Sequence, residues 1–193
     1  MRDSPYAALL PTRDPDAFPA WDVMHANAVE VLTGARAAAS PRFKAGQVLI
    51  SLRELNALAV LDLAGRSVVW ATRGPWRAQH DPHFLDNGRL LVYDNRGAGR
   101  DSRILEYDPQ TQACPWTYPG NGSPHFSSPV EGRNQRLPNG NTFIVSSRDG
   151  VLLEVNEDQE VVWSCYCNAN VPFARRYAAE QLTFLKGAAY ARP

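Results

Sequence analysis

The chain is predicted to be all-β, built from three four-stranded antiparallel propeller blades, half of a six-bladed ring, with a C-terminal helix. Three observations predict it. Residues 79–118 read QHDPHFLDNGRLLVYDNRGAGRDSRILEYDPQTQACPWTY, in which apolar runs are separated by Asn87-Gly88, a glycine-rich stretch at 95–99 and Asp108-Pro109. Those separators are turn chemistries, so the stretch is four short strands. Residues 132–166 repeat the same order, and residues 22–72 repeat it more loosely. Four-stranded units recurring every 46 to 55 residues or so are the signature of a β-propeller, each unit being one blade.

Taken in order, residues 1–21 carry Pro5, Pro11, Pro15 and Pro19, too closely spaced for a helix, and read as an extended arm. Residues 22–167 hold the three blades. The first draws its strands from 25–32, 47–52, 58–63 and 67–72, with 33–45 as an inserted loop. The second is 79–118, and the third runs from Gln135-Arg136-Leu137 through the turn Pro138-Asn139-Gly140 to strands at 141–145, 151–156 and 160–166. An acidic residue inside the third strand (Glu106, Glu154) and a tryptophan in the last (Trp70, Trp116, Trp163) recur in register. Such periodic tryptophans are expected to pack between blades. Residues 168–193 form the tail. Pro172 sits where a first helical turn tolerates it, so 173–191 is predicted as a helix docking by Phe173, Tyr177, Gln181 and Phe184-Leu185.

Composition narrows the function. Lys plus Arg and Asp plus Glu number 20 each, which leaves no basic footprint for nucleic acid or for an anionic membrane. No apolar run approaches the roughly 18 residues of a membrane span, and no basic-then-apolar leader opens the chain. As given, the sequence reads as cytoplasmic, or periplasmic if it is a fragment of an exported protein. Its 3 cysteines cannot form a disulfide framework, and Cys165 and Cys167 are expected to be buried thiols rather than metal ligands.

Three blades cannot close a ring, since propellers close with roughly four to eight. The open ends expose apolar side chains and unpaired edges. A homodimer making a six-bladed ring by twofold symmetry resolves this most simply, and a fragment of a longer protein is the other resolution.

The strings QHDPHFLDNGRLLVYDN, SRILEYDPQT, QRLPNGNTFIVSS, LLEVNEDQEVVW and PFARRY resemble the bacterial arylsulfotransferase family and related propeller proteins. WDVMHANAVEVL is similar to that family's Asp-x-x-His-x-Asn strand. The resemblance spans roughly 21–177 and implies sulfuryl transfer from an aryl sulfate to a phenol through a histidine, with aryl sulfates and phenols as small-molecule partners and no cofactor or metal. By position it implies His25, His80 and Arg103 as catalytic residues; Asn27 and His83 are expected to bind substrate. The chemistry suits these types: a neutral imidazole can attack sulfur, a second can protonate the departing phenolate, and a guanidinium stabilises charge on the sulfuryl oxygens. His25 and His80 open the first strands of successive blades, nearest the axis, and are expected to converge there. Each has a structural alternative: a strand-start histidine often serves hydrogen bonding, and Arg103 can pair with Glu106 or Asp101. The alternative function is a non-catalytic scaffold or ligand-binding module that assembles by blade pairing.

Overall fold

The computed structural model describes residues 4–9, 22–97 and 101–185. Twelve strands form three antiparallel sheets. The first holds β1 (Ala26–Val31), β2 (Val48–Leu52), β3 (Ala57–Asp62) and β4 (Ser67–Arg73), hydrogen-bonded in that order. The second holds β5 (His80–Phe84), β6 (Leu90–Asp94), β7 (Arg103–Tyr107) and β8 (Trp116–Pro119); the third holds β9 (Arg133–Arg136), β10 (Thr142–Ser146), β11 (Val151–Val155) and β12 (Val161–Tyr166). Each sheet is therefore a meander of consecutive strands, which is what a blade requires. The blades meet through their first strands: β5 lies against β1 and β2, and β9 against β5 and β6.

Two apolar cores fill the junctions. Leu49, Leu58, Val60 and Trp70 of blade one face Phe84, Leu90, Val92 and Tyr107 of blade two. The insertion at 33–45, which carries a short helix α1 (Gly34–Ala38), lends Phe43 to that core, edge-on to Trp70 and Phe84 at 5.7 and 5.2 Å. Trp76 enters from the connection between the two blades. It stands edge-on to Tyr107 at 5.0 Å and donates its indole N–H to the Asn56 carbonyl at 3.0 Å. The second core packs Tyr93, Ile104 and Tyr118 of blade two against Ile144, Leu153 and Val155 of blade three, with Phe126 stacked on Tyr118.

A departure in the repeat has a steric cause. Blade three carries Gly132 near the station where blade two carries His80. Its φ is +115°, and a Cβ there would lie 2.6 Å from the Tyr93 ring. No side chain fits.

The expected C-terminal helix is not formed. The tail runs extended and holds only single 3-10 turns at Ala179–Gln181 and Thr183–Leu185. Its backbone is already engaged: Val171 N–H donates to the Ser147 carbonyl at 2.9 Å, and the Gln135 side-chain amide grips both the N–H and the carbonyl of Arg176. A helix would have to give up these bonds. Phe173, Tyr177 and Phe184, expected to dock, are exposed, and residues 186–193 lie outside the described residues. Trp70 and Trp116 pack between blades as expected, whereas Trp163 stands on the outer face of blade three, 40% exposed, beneath the tail. Cys165 and Cys167 lie half-buried as free thiols rather than fully buried. Of the N-terminal arm, residues 4–9 lie beside blade one, where Tyr6 Oη–H donates to the Val69 carbonyl and Arg73 donates to the Leu9 carbonyl; the remainder of the arm falls outside the described residues.

Because Trp76 fills the first junction from a single connecting segment, Trp76→Ala should destabilise the protein by about 3–5 kcal/mol. Val29→Ala, on an exposed strand face, should stay within about 0.5 kcal/mol. Urea unfolding of the two variants checks the contrast.

Candidate functional site

The first strands enter the arc from the same end, each through a strained residue. His25, Ala78 and Glu131 immediately precede or lie just before β1, β5 and β9, and all have left-handed φ, at 46°, 51° and 62°. The turns that follow the second strands, at Arg53 and Asn95, stand beside them. Arg53 donates its N–H to the His25 carbonyl at 3.1 Å, and its guanidinium acts electrostatically on His80. His25 and His80 are thus both neighbours of Arg53.

They do not hold equivalent stations. Glu30 pairs with Leu49, Leu49 with Val60 and Val60 with Trp70; His83 pairs with Leu91, Leu91 with Glu106 and Glu106 with Trp116. Glu30 and His83 therefore match, and His80, opposite Tyr93, takes the station of Ala28, opposite Ser51. His25 corresponds to Ala78, with which it shares its left-handed backbone. Strand irregularities between Ala26 and Ala28 and between His80 and His83 accompany this offset.

His80 is built for one protonation state. Its Nδ1 lies 3.0 Å from the Ala78 carbonyl and 2.7 Å from Oδ1 of Asn95. Asn95 is fully buried, and its Nδ2 donates to the Ser128 carbonyl at 2.7 Å and to the Glu131 carbonyl, which turns its oxygen towards His80. Facing two acceptors, Nδ1 carries the proton, and the lone pair is left on Nε2. Burial pulls the imidazole below its usual range of about 6.5 against the lift from its two hydrogen bonds, and Arg53 and Arg133 add to the lowering. His25 is more open; its Nδ1 lies 2.6 Å from Asp22 Oδ2, while Asp22 Oδ1 accepts the His25 N–H. This carboxylate fixes the ring's tautomer in the same sense.

Beside these residues opens a cleft of about 760 Å³, walled by Arg53, Arg77, Arg96, Glu54 and Ala78 among others. Arg53 pairs with Glu54. Arg77 and Arg96 are exposed and form no ion pair among the described residues, so the wall presents free positive charge.

Arg103 stands elsewhere. Its Nε donates to Asp94 Oδ2 at 2.7 Å, and Asp94 Oδ1 accepts the backbone N–H groups of Arg77 at 2.8 Å and Arg96 at 3.2 Å. Asp94 is fully buried and Arg103 is its counter-ion, so Arg103 shapes the arginine-bearing turns rather than joining the histidines; neither Glu106 nor Asp101 is its partner. Asn27 is also a tie, donating from Nδ2 to the Gln79 carbonyl at 2.8 Å across the first junction. His83 opens on a different cleft, of about 400 Å³, with Arg36 and Arg136. The sequence reading missed Asn95, Arg53, Arg77 and Arg96, which all sit in turns where composition signals only a bend. Asp22, three residues ahead of His25, was visible as part of a motif. Among the described residues no three His, Cys, Asp or Glu side chains are grouped to hold a metal ion.

The hydrogen bond from Nδ1 to Asn95 favours the protonated imidazole, so Asn95→Ala should lower the already depressed titration point of His80 further. Nitrogen-detected NMR should show His80 titrating below 6.5 with its proton on Nδ1. Because the unfolded chain takes up this proton first, the contribution of His80 to stability is complete above about 6.5 and is lost as pH falls towards the folded value.

No curated protein matches the chain. Among solved structures it is similar to a protein of unknown function from Bacteroides caccae, at 16% identity and TM-score 0.46 over 64% of this chain and 43% of that one. It is also similar to BamB from Moraxella catarrhalis, at 13% identity and TM-score 0.39 over 76% of this chain and 39% of that one. The chain thus spans about two fifths of the length of each. A family sequence model described as arylsulfotransferase (ASST) matches residues 6–168, well over half of the chain and all three blades. With twelve strands in three consecutive blades and a match running through each, the chain belongs to the arylsulfotransferase family.

Proposed function

We propose that the chain carries a sulfuryl-transfer site in which His80 is the nucleophile. The observation that carries this reading is the environment of His80: Nδ1–H bound to Asn95 and Ala78, Nε2 without a hydrogen-bond partner among the described residues, and an arginine-walled cleft alongside. In the proposed reaction the Nε2 lone pair attacks the sulfur of an aryl sulfate. The S–O bond to the aryl group breaks, and the phenolate leaves with a proton from His25, whose ring Asp22 orients. The sulfuryl group then passes from His80 to a phenolic acceptor, whose proton returns to His25. Arg53, Arg77 and Arg96 supply positive charge where the sulfuryl oxygens carry negative charge in the transition state. A low imidazole pKa helps here, because the nucleophile must be neutral at the pH of reaction.

Arg103 is a positioning residue in this scheme, acting through Asp94 on the turns that carry Arg77 and Arg96. The family match supports the general class of chemistry; the assignment of His80 rests on its hydrogen bonds.

Turnover of a chromogenic aryl sulfate with a phenolic acceptor tests the proposal. His80→Ala should lose at least about 10²-fold in kcat/KM, and trapping with donor alone should label a single peptide containing His80. His125→Ala is the control, since His125 lies exposed against Asp101 and outside the site. Equal turnover of wild type and His80→Ala, or a label on another histidine, sinks the assignment.

A further inference from the structure

Among the described residues no further sheet lies on blade three, yet its outer face is not bare. Phe143, Val145 and Leu152 form a small apolar cluster there, with Val171 and Ala174 of the tail packed against it. The tail is held by contacts that recur, one set at each of the two blade junctions. At the first junction the side chain of Glu30 accepts the backbone N–H of Phe84 at 2.8 Å. On the third blade Gln135, opposite Phe143 as Glu30 is opposite Leu49, accepts the backbone N–H of Arg176 at 3.0 Å and donates to its carbonyl at 3.0 Å. Arg176 therefore takes the station of Phe84.

A second set of contacts, made by different atoms, gives the same register. At the second junction Glu106 of β7 is paired with Arg136 at 2.8 Å, and the Arg136 guanidinium lies 5.4 Å from the Trp116 ring centre. Arg136 follows Gln135 as Phe84 follows His83, so it holds the same station. On the outer face Glu154 of β11 is paired with Arg176 at 2.9 Å, and the Arg176 guanidinium lies 4.2 Å from the Trp163 ring centre. Residues 175–177 thus correspond to 83–85 and 135–137.

We propose that residues 171–177 act as the inner strand of a fourth blade, supplied by the chain itself, and that they seal blade three against pairing with another propeller blade. The competing occupant would be β1 of a second copy, which a two-chain ring would place on this face. In β1 the residue at the Arg176 station is Val31, one past Glu30. A valine there would leave the buried Glu154 without a counter-ion, an expensive arrangement. The tail also enjoys the high effective concentration of a tethered segment. Two-chain closure through this face therefore requires the tail to leave.

Backbone hydrogen exchange and light scattering on the full chain test this. In the wild type the amides of Val171 and Arg176 should be protected, and the mass should not rise with concentration. Arg176→Glu, which sets two carboxylates against each other, should speed exchange of those amides roughly tenfold or more and make the mass concentration-dependent. Arg175→Glu applies the same charge change one residue away, where the side chain lies over Phe173, and should leave exchange as in the wild type. Unprotected wild-type amides, equal opening in Arg175→Glu, or a released tail with no self-association would each overturn the proposal.

Discussion

Every other feature of this fold follows from one constraint: the middle strands of each blade are apolar on both faces. In β6, β10 and β11 every residue is buried. A sheet of that kind cannot present a face to water, so each blade must be sandwiched, and the arc exists because blades cover one another. The material at the junctions is chosen accordingly. Aromatic residues arrive from loops, Phe43 from the insertion, Trp76 from the connection and Phe126 from the loop before β9, and fill wedges that the strands alone would leave open. At the ends of the arc the same demand is met by other means. The tail covers the outer face of blade three, while on β1 Val29 and Val31 remain 69% and 58% exposed.

The buried acids show how specificity is laid over this apolar scheme. Glu106 and Glu154 sit inside the third strands, each almost fully buried. An unpaired carboxylate at such depth would cost several kcal/mol. Glu106 is answered by Arg89 of its own blade and Arg136 of the next, and Glu154 by Asn141 of its own blade and Arg176 of the tail. In each case partners come both from within the blade and from the element that follows. The acid therefore makes the blade intolerant of an arbitrary neighbour: whatever packs there must bring a cation at one defined station. Apolar burial says only that something must cover the face; the acid selects what.

The sequence made the repeat legible because its signals are local. Asn-Gly turns, alternating apolar runs and periodic tryptophans each need only a few neighbouring residues to be read, and the strands of all three blades lie close to where they were expected. The tail was misread for the opposite reason. The composition of 173–191 favours a helix on propensity, but the Arg176 backbone and guanidinium are held by Gln135, Glu154 and Trp163, distant in sequence. The histidines failed in an intermediate way. Both were rightly placed at first strands, yet counting repeats made them equivalent, because an irregular residue in a strand shifts the register without leaving a mark in composition. Gly132, near the station of His80, is the space required by Tyr93.

The same reasoning explains why the site depends on residues that carry no chemistry of their own. Asn95 and Asp94 are adjacent and both fully buried at the end of β6. One fixes the proton on His80, and the other, neutralised by Arg103, holds the backbone of the two turns whose guanidinium groups face the cleft. Asp94 closes β6 and Asn95 opens the turn after it, so the pair serves both halves of the candidate site from a single strand end. Burial pushes the Asp94 carboxyl up, against its two backbone N–H donors and Arg103. Losing Arg103 would therefore favour a neutral Asp94, which binds those N–H groups more weakly. The arginine wall would loosen while His80 kept its tautomer. Loss of Asn95 would do the reverse, leaving the wall in place and freeing the imidazole. The two halves of the candidate site, an imidazole in a fixed tautomer and a positive wall, are thus separately supported from one strand end.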